Sequence, residues 1–204
     1  MNDLVTEAIA NRADPIMNRI AIRWVALRRS KRVRMTDAAL ISRLPLRGSN
    51  DARIIIEGRP AGSDEPPVTA EGRLVSANYF ETMGIPLLSG EGLPEVADSL
   101  SRRHIVVNRT MAEKYWHGAD AVGRRVRFGS DGPWLTVAGI VGDVRQIGLA
   151  DPPKEELYSS YRAVSSNEMS MVVRTGEDDP ERLGAAVTAA IRSADPEQPV
   201  FGVM

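Results

Sequence analysis

Segments typical of strands alternate with segments typical of helices over residues 73–146, and this order constrains the fold more than any single motif. Residues 104–107 and 134–141 are rich in β-branched side chains, as expected of buried strands. Between them, Asn108 is a good N-cap for a helix over residues 109–115. The alternation predicts an α+β fold with a mixed β-sheet, built from split βαβ-type elements and with room for two lobes.

Other local signals predict the remaining elements. Residues 38–41, 53–57, 156–161 and 169–175 are short apolar runs typical of strands, and Pro180 suits the first turn of a helix over residues 180–192. Ser76 is expected to cap a short helix that Gly84 ends. Five core residues are expected to hold this helix against the sheet: Phe80, Met83, Val106, Val137 and Ile140.

Length and composition limit the range of functions. With 204 residues and a hydrophobic fraction of 43%, the chain can bury one sizeable core. A formal net charge of -1 gives no overall field to hold a polyanion, so nucleic acid is not an expected partner. Zero cysteines exclude disulfides, thiolate catalysis and cysteine-ligated zinc.

Neither end of the chain predicts a membrane segment. Asp3, Glu7 and Asp14 lie where a secretory signal would have a basic region and an apolar core. Residues 133–142 form the longest apolar stretch, about half of the roughly 20 residues that cross a bilayer. The sequence therefore predicts a soluble chain, with residues 1–13 as a short helix or a frayed arm.

Residues 19–34 contain seven basic residues and no acidic one. The apolar spacing fits a helix and a strand equally well, so periodicity leaves the choice open. Such a segment can bind nucleic-acid phosphates or anionic lipid headgroups, although a solvated charged face is the interpretation we favour. The candidate interaction residues are Arg19, Ile20, Ile22, Arg23, Trp24, Arg28 and Arg29.

Few residues suggest catalysis or ligand binding. His104 and His117 are the only histidines, and neither has a partner at metal-ligand spacing, so no metal site is predicted. The glycines of residues 139–145, followed by Asp143 and Arg145, suggest a small nucleotide-binding domain or enzyme as an alternative. The segment lacks a third glycine and a Lys-Ser/Thr pair, so a bulge within a strand is the better interpretation. We predict no enzymatic activity and no cofactor.

Several segments in a fixed order carry a family resemblance: residues 74–88 (LVSANYFETMGIPLL), 106–108 (VVN), 115–116 (YW), 122–126 (VGRRV), 137–145 (VAGIVGDVR) and 195–200 (DPEQPV). Across residues 36–203 they resemble the MacB-like periplasmic core domain, the extracytoplasmic part of FtsX-like ABC transporter permeases. The resemblance divides the chain into a basic segment, residues 1–35, and a core domain, residues 36–204.

The resemblance also implies a function and a location. In that family the domain is not an enzyme; it moves with transmembrane permease segments while a separate ABC ATPase hydrolyses ATP. The implied role is a mechanical or interaction module coupled to transport, on the extracytoplasmic, periplasmic face of the cell membrane.

The chain departs from the family pattern in three places. No transmembrane helix is predicted within these 204 residues, and Glu91 replaces a more usual arginine. Almost no residues remain for a helix that relatives have just before residues 38–41. The sheet face that this helix covers is therefore expected either to mediate self-association or to be covered by residues 1–27, with Ile20, Ile22 and Trp24 as contacts.

Overall fold

The computed structural model describes residues 8–10, 35–47, 51–59, 67–95, 103–145, 148, 150–163, 166, 168–176, 181–194, 196–197 and 199–201. Within these ranges the strands are β1 (Ala8–Ala10), β2 (Met35–Ile41), β3 (Asp51–Ile56), β4 (Thr69–Val75), β5 (Leu87–Gly90), β6 (His104–Asn108), β7 (Arg125–Phe128), β8 (Leu135–Val141), β9 (Glu156–Ser160), β10 (Met169–Thr175) and β11 (Val200–Phe201). The α-helices are α1 (Tyr79–Met83), α2 (Arg109–Trp116) and α3 (Glu181–Ala194).

Six strands close into a ring, in the order β4–β3–β7–β8–β6–β9 and back to β4. The β4–β9 and β6–β8 pairs are parallel and the others are antiparallel, so the sheet is mixed. All six strands contribute apolar side chains to one cluster, which also includes Met111 and Trp116 of α2. This cluster is the interior of the ring, and the other side of each strand forms its outer face.

Four further strands form a wing, in the order β2–β10–β1–β11. The wing joins the ring where β2 pairs with β4, at Ile41 and Val75. Helix α3 packs Leu183, Val187 and Ile191 against the methionines of β10 in a second apolar cluster. An amphipathic helix therefore covers one face of the wing.

A third cluster joins the two parts of the sheet. It combines Ile41 of the wing and Val106 of the ring with Tyr79 and Phe80 of α1. Helix α1 thus packs at the junction between ring and wing. The fold is α+β with a mixed sheet, as the sequence predicts.

Helix ends show where local sequence signals succeed and fail. The Asn108 side chain accepts a hydrogen bond from Met111 N, which confirms it as the N-cap of α2. Gly84 ends α1 with a φ of 70°. Ser76, however, is not the cap: its hydroxyl accepts from Leu40 N, which ties the start of α1 to β2.

Two expectations about packing were wrong in part. Phe80 of α1 and Val106 of β6 are buried in one cluster, as expected. Val137 and Ile140 instead face the ring interior, away from α1. Met83 is only partly buried. Residues 8–10 form a strand rather than a helix or an arm, because they extend the wing beside β10. No helix within the described ranges is long and apolar enough to span a membrane.

Candidate functional site

A cluster of buried polar side chains lies where the ring meets the wing. Arg73 of β4 donates from Nη2 to Glu71 Oε2 at 2.8 Å and from Nε to Glu156 Oε1 at 3.2 Å. The Tyr158 hydroxyl donates to Glu156 Oε2 at 2.8 Å. Arg73 also donates from Nη1 to the carbonyl oxygen of Arg43 at 2.5 Å, in the loop that follows β2. One guanidinium therefore connects two ring strands to the end of a wing strand.

The sheet register assembles this junction cluster, which we define as Glu71, Arg73, Glu156 and Tyr158. Parallel pairing of β4 with β9 sets Glu71 opposite Glu156 and Arg73 opposite Tyr158. Because side chains alternate along a strand, these residues lie on the outer face of the ring, opposite Ala70 in its interior. The wing and α1 bury that outer face.

Burial dominates the electrostatics of the junction cluster. It raises the pKa of Glu156 to about 7 from an ordinary value of 4.5, although the Tyr158 hydroxyl and the Arg73 guanidinium oppose the change. Burial and the charge of Glu156 also raise the pKa of Tyr158 well above its ordinary value. Near neutral pH, Glu156 therefore exchanges a proton while Tyr158 remains a neutral hydrogen-bond donor.

Aromatic rings continue the junction beyond the polar cluster. Phe80 of α1 packs edge-on against Tyr158 with ring centroids 5.0 Å apart, and Tyr79 lies 6.3 Å from the same ring. The Tyr79 hydroxyl is excluded from solvent and has no hydrogen-bond partner among the described residues. The junction therefore combines ion pairs, ring packing and one unsatisfied polar group.

The alternative site at residues 139–145 has structural roles instead. A Cβ at Gly139 would lie 2.2 Å from the Glu91 carbonyl oxygen, so this glycine permits β5 to approach β8. Asp143 Oδ1 accepts from Thr110 N at 2.9 Å at the start of α2. Arg145 is exposed, and within the described part of the chain no hydrogen bond or ion pair joins it to Asp143. The two side chains are not brought together as an acid and an electrophile.

The remaining candidate site residues are the basic segment and the two histidines. The basic segment, with its seven predicted interaction residues, lies outside the described residues. His104 is half-buried on β6 and His117 ends α2 with a φ of 58°. The described residues contain no group of three His, Asp or Glu side chains arranged to hold a metal ion.

Sequence reasoning missed the junction cluster entirely. Glu71 and Arg73 alternate with apolar neighbours, a pattern that usually marks the solvent face of a strand. Only closure of the ring against the wing reveals that this face is buried. One signal in the sequence could have indicated the cluster: Glu156 and Tyr158 similarly flank an apolar residue, on β9, the strand that pairs with β4.

Comparisons with known proteins identify the family of this chain. The family model of the MacB-like periplasmic core domain matches residues 1–190. The chain belongs to this family. No curated protein sequence matches the chain.

Three crystal structures show the same fold at low sequence identity. The periplasmic region of MacB from Actinobacillus actinomycetemcomitans aligns with a TM-score of 0.64 at 15% identity, covering 98% of this chain and 87% of that one. The extracellular domain of the ABC-type transporter YknZ from Gram-positive bacteria aligns with a TM-score of 0.60 at 14% identity, covering 98% of this chain and 99% of that one. A domain of a permease protein from Porphyromonas gingivalis aligns with a TM-score of 0.56 at 13% identity, covering 98% of this chain and 86% of that one.

Proposed function

We propose that this domain is a non-catalytic, extracytoplasmic module of an ABC-transporter permease and that it transmits movement of the transmembrane segments to the outside of the membrane. Its partners are those permease segments and an ABC ATPase. Family membership supports the transport role. The junction between ring and wing supports the mechanical part of the proposal, since it makes the two parts one body.

The observation that carries the proposal is the way β4 serves both parts. This strand closes the ring through β3 and β9 and also receives β2 of the wing. Arg73 on β4 is hydrogen-bonded to both parts, and the third apolar cluster fills the remaining space. Packed interiors have low compressibility and transmit displacement, so a movement applied to the wing is carried to the ring.

Distance measurements with paired spin labels test this proposal in the complete permease with its ATPase. This chain has no cysteine, so once any cysteines elsewhere in the complex are replaced, Glu113→Cys on α2 and Ala185→Cys on α3 give exposed label positions on ring and wing. We expect the distance between these labels to be the same with and without ATP. The distance from the Glu113→Cys label to a label at the membrane surface should change.

Two outcomes would contradict the proposal in different ways. A distance between ring and wing that changes with ATP would show a hinge at the junction rather than a rigid body. A distance to the membrane that never changes would show that the domain does not move with transport. Labelling of Glu113→Cys by a membrane-impermeant maleimide in intact cells checks the extracytoplasmic location, and a protected thiol would refute it.

A disulfide across the junction provides an independent test. Ile41 and Val75 are cross-strand partners flanked by hydrogen bonds from Ser42 N to Leu74 O and from Ser76 N to Leu40 O. Such non-hydrogen-bonded pairs have the close Cα spacing that a disulfide requires. The oxidised Ile41→Cys/Val75→Cys protein should retain the ATP hydrolysis rate of its reduced form and of both single variants. Inhibition that only oxidation causes would mean that ring and wing must separate.

A further inference from the structure

The outer face of the ring away from the wing carries an unusual group of side chains. Inward positions on three adjacent strands are occupied by Ile54, Val126 and Leu135 of the ring interior. Strand alternation therefore directs the intervening residues outward. These outward residues are Asp51, Arg53 and Ile55 on β3, Glu57 just after it, Arg125 and Arg127 on β7, Trp134 just before β8, and Thr136 on β8.

Arg127 is the central residue of this face. Its guanidinium carbon lies 4.6 Å from the centroid of the Trp134 ring. Its Nε is excluded from solvent, and neither Nε nor the two terminal nitrogens has a hydrogen-bond partner among the described residues. Leaving a buried donor unsatisfied is unfavourable, and more so when the group is charged. The Trp134 indole holds the Arg127 guanidinium in place, and the two terminal nitrogens remain available to donate hydrogen bonds to a ligand.

The charges around Arg127 do not balance. Two acidic residues share these outward positions, and each has a basic partner. Arg125 Nε donates to Glu57 Oε2 at 2.7 Å, and Asp51 Oδ2 lies 3.7 Å from Lys154 Nζ. Arg53 is exposed and forms no ion pair within the described part of the chain. Two arginines, Arg53 and Arg127, thus have no carboxylate partner among the residues that the structure describes.

The register sets the distance between these two arginines. Arg127 pairs with Ile55, so Arg53 is the diagonal neighbour of Arg127 on the adjacent strand. Diagonal positions across two strands are about 7–8 Å apart. An extended chain rises about 3.3 Å per residue, so side chains two residues apart are spaced by nearly the same length.

We propose that the outer face of β3, β7 and β8 binds an extended acidic segment of a partner protein whose carboxylates occur at alternate positions. One carboxylate accepts from the terminal nitrogens of Arg127, which Trp134 holds in place, and the next accepts from Arg53. Arginine donates to a carboxylate through two parallel hydrogen bonds, which makes such contacts strong and directional. The Ile55 side chain lies between the two contacts. Binding to this face goes beyond the transport role and does not depend on it.

Peptide titration of the 204-residue chain tests this inference by nuclear magnetic resonance. The probe is a capped heptapeptide that alternates threonine and glutamate, and its control is an isomer with the same composition and adjacent glutamates. We expect the alternating peptide to shift the resonances of Arg53, Arg127 and Trp134 and to bind about tenfold more tightly than the isomer. Equal affinities, or shifts elsewhere on the domain, would overturn the proposal.

Matched variants separate a specific site from general attraction. Arg127→Gln should weaken binding about tenfold, and Arg53→Gln about fivefold, since each removes one charge-assisted contact. Arg124→Gln is the control, because Arg124 is exposed, as Arg53 is, but donates to the Asp120 carbonyl oxygen outside this face. Loss of the same size in all three variants would indicate only a diffuse electrostatic attraction.

Other occupants give different results. Sedimentation with phosphatidylglycerol vesicles, and titration with inorganic phosphate, measure whether the same arginines bind phosphate groups instead. Binding of either probe without binding of the alternating peptide would overturn the assignment to a protein segment. So would light scattering that shows self-association abolished by Arg127→Gln, because the face would then be an interface between copies of the chain.

Discussion

The Nε atom of Arg73 lies 3.2 Å from Oε1 of Glu156, and both side chains are fully excluded from solvent. Placing an ion pair in a protein interior carries a large desolvation cost, which only good geometry and further hydrogen bonds offset. Here Glu71, Tyr158 and the Arg43 carbonyl oxygen supply those bonds. The arrangement makes the junction between ring and wing sensitive to the loss of any one member.

Arg73→Met is expected to reduce the free energy of unfolding by about 3–5 kcal/mol, the usual effect of breaking a buried ion pair from one side. The substitution removes the guanidinium that Glu71 and Glu156 share. Urea unfolding monitored by circular dichroism measures the loss. Arg125→Met is the matched control: Arg125 and its partner Glu57 are both exposed, so solvent screens this pair and its loss should cost much less. Equal losses would show that solvent screens the junction cluster.

The raised pKa of Glu156 predicts how stability depends on pH. The folded state binds this proton more tightly than the unfolded state, so its contribution is complete below pH 4.5 and is lost as pH rises through about 7. Relative to Glu156→Gln, the native protein should lose on the order of 3 kcal/mol of unfolding free energy across that range. Parallel pH profiles for the two proteins would show that the carboxyl group titrates normally.

The two buried tyrosines of the junction should respond in opposite ways to loss of the hydroxyl. Tyr79→Phe removes a buried hydroxyl that has no partner among the described residues, so the free energy of unfolding should rise by roughly 1 kcal/mol. Tyr158→Phe removes the donor to Glu156 Oε2 and should lower it by about 1–2 kcal/mol. Thermal unfolding of both variants gives the comparison. A destabilising Tyr79→Phe would mean that its hydroxyl has an acceptor in the folded protein.

Local chemistry made much of the secondary structure predictable. The Asn108 cap and the Gly84 stop depend on a few adjacent residues, whose preferences act wherever the segment lies in the fold. The strand predicted at residues 169–175 coincides with β10, because an apolar run bounded by loop residues can be recognised without knowing its partners. The family resemblance is confirmed by the family match and predicts the α+β class correctly.

The junction could not be predicted, because it depends on pairing between distant strands. Glu71 and Arg73 become buried only when β4 pairs with β9 and the wing covers their shared outer face. Ser76 shows the same limit on a smaller scale. Its hydroxyl suits a helix cap, but the nearby β2 offers the Leu40 backbone N–H as a competing partner. The boundary proposed at residue 35 and the role of the basic segment stay predictions.

Gly139→Ala gives the clearest distinction between a structural and a ligand-binding role for the glycine-rich segment. Gly139 pairs with Gly90 where β5 meets β8, and a Cβ at either position would lie 2.2 Å from a backbone carbonyl oxygen. Backbone atoms cannot give way cheaply, so Gly139→Ala should lower the free energy of unfolding by about 1–3 kcal/mol. Gly92→Ala is the control, because its Cβ would meet no atom within 4 Å, and its effect should stay within about 0.5 kcal/mol. Denaturant unfolding of both variants decides the matter: if Gly139→Ala is as harmless as Gly92→Ala, close strand approach does not explain this glycine.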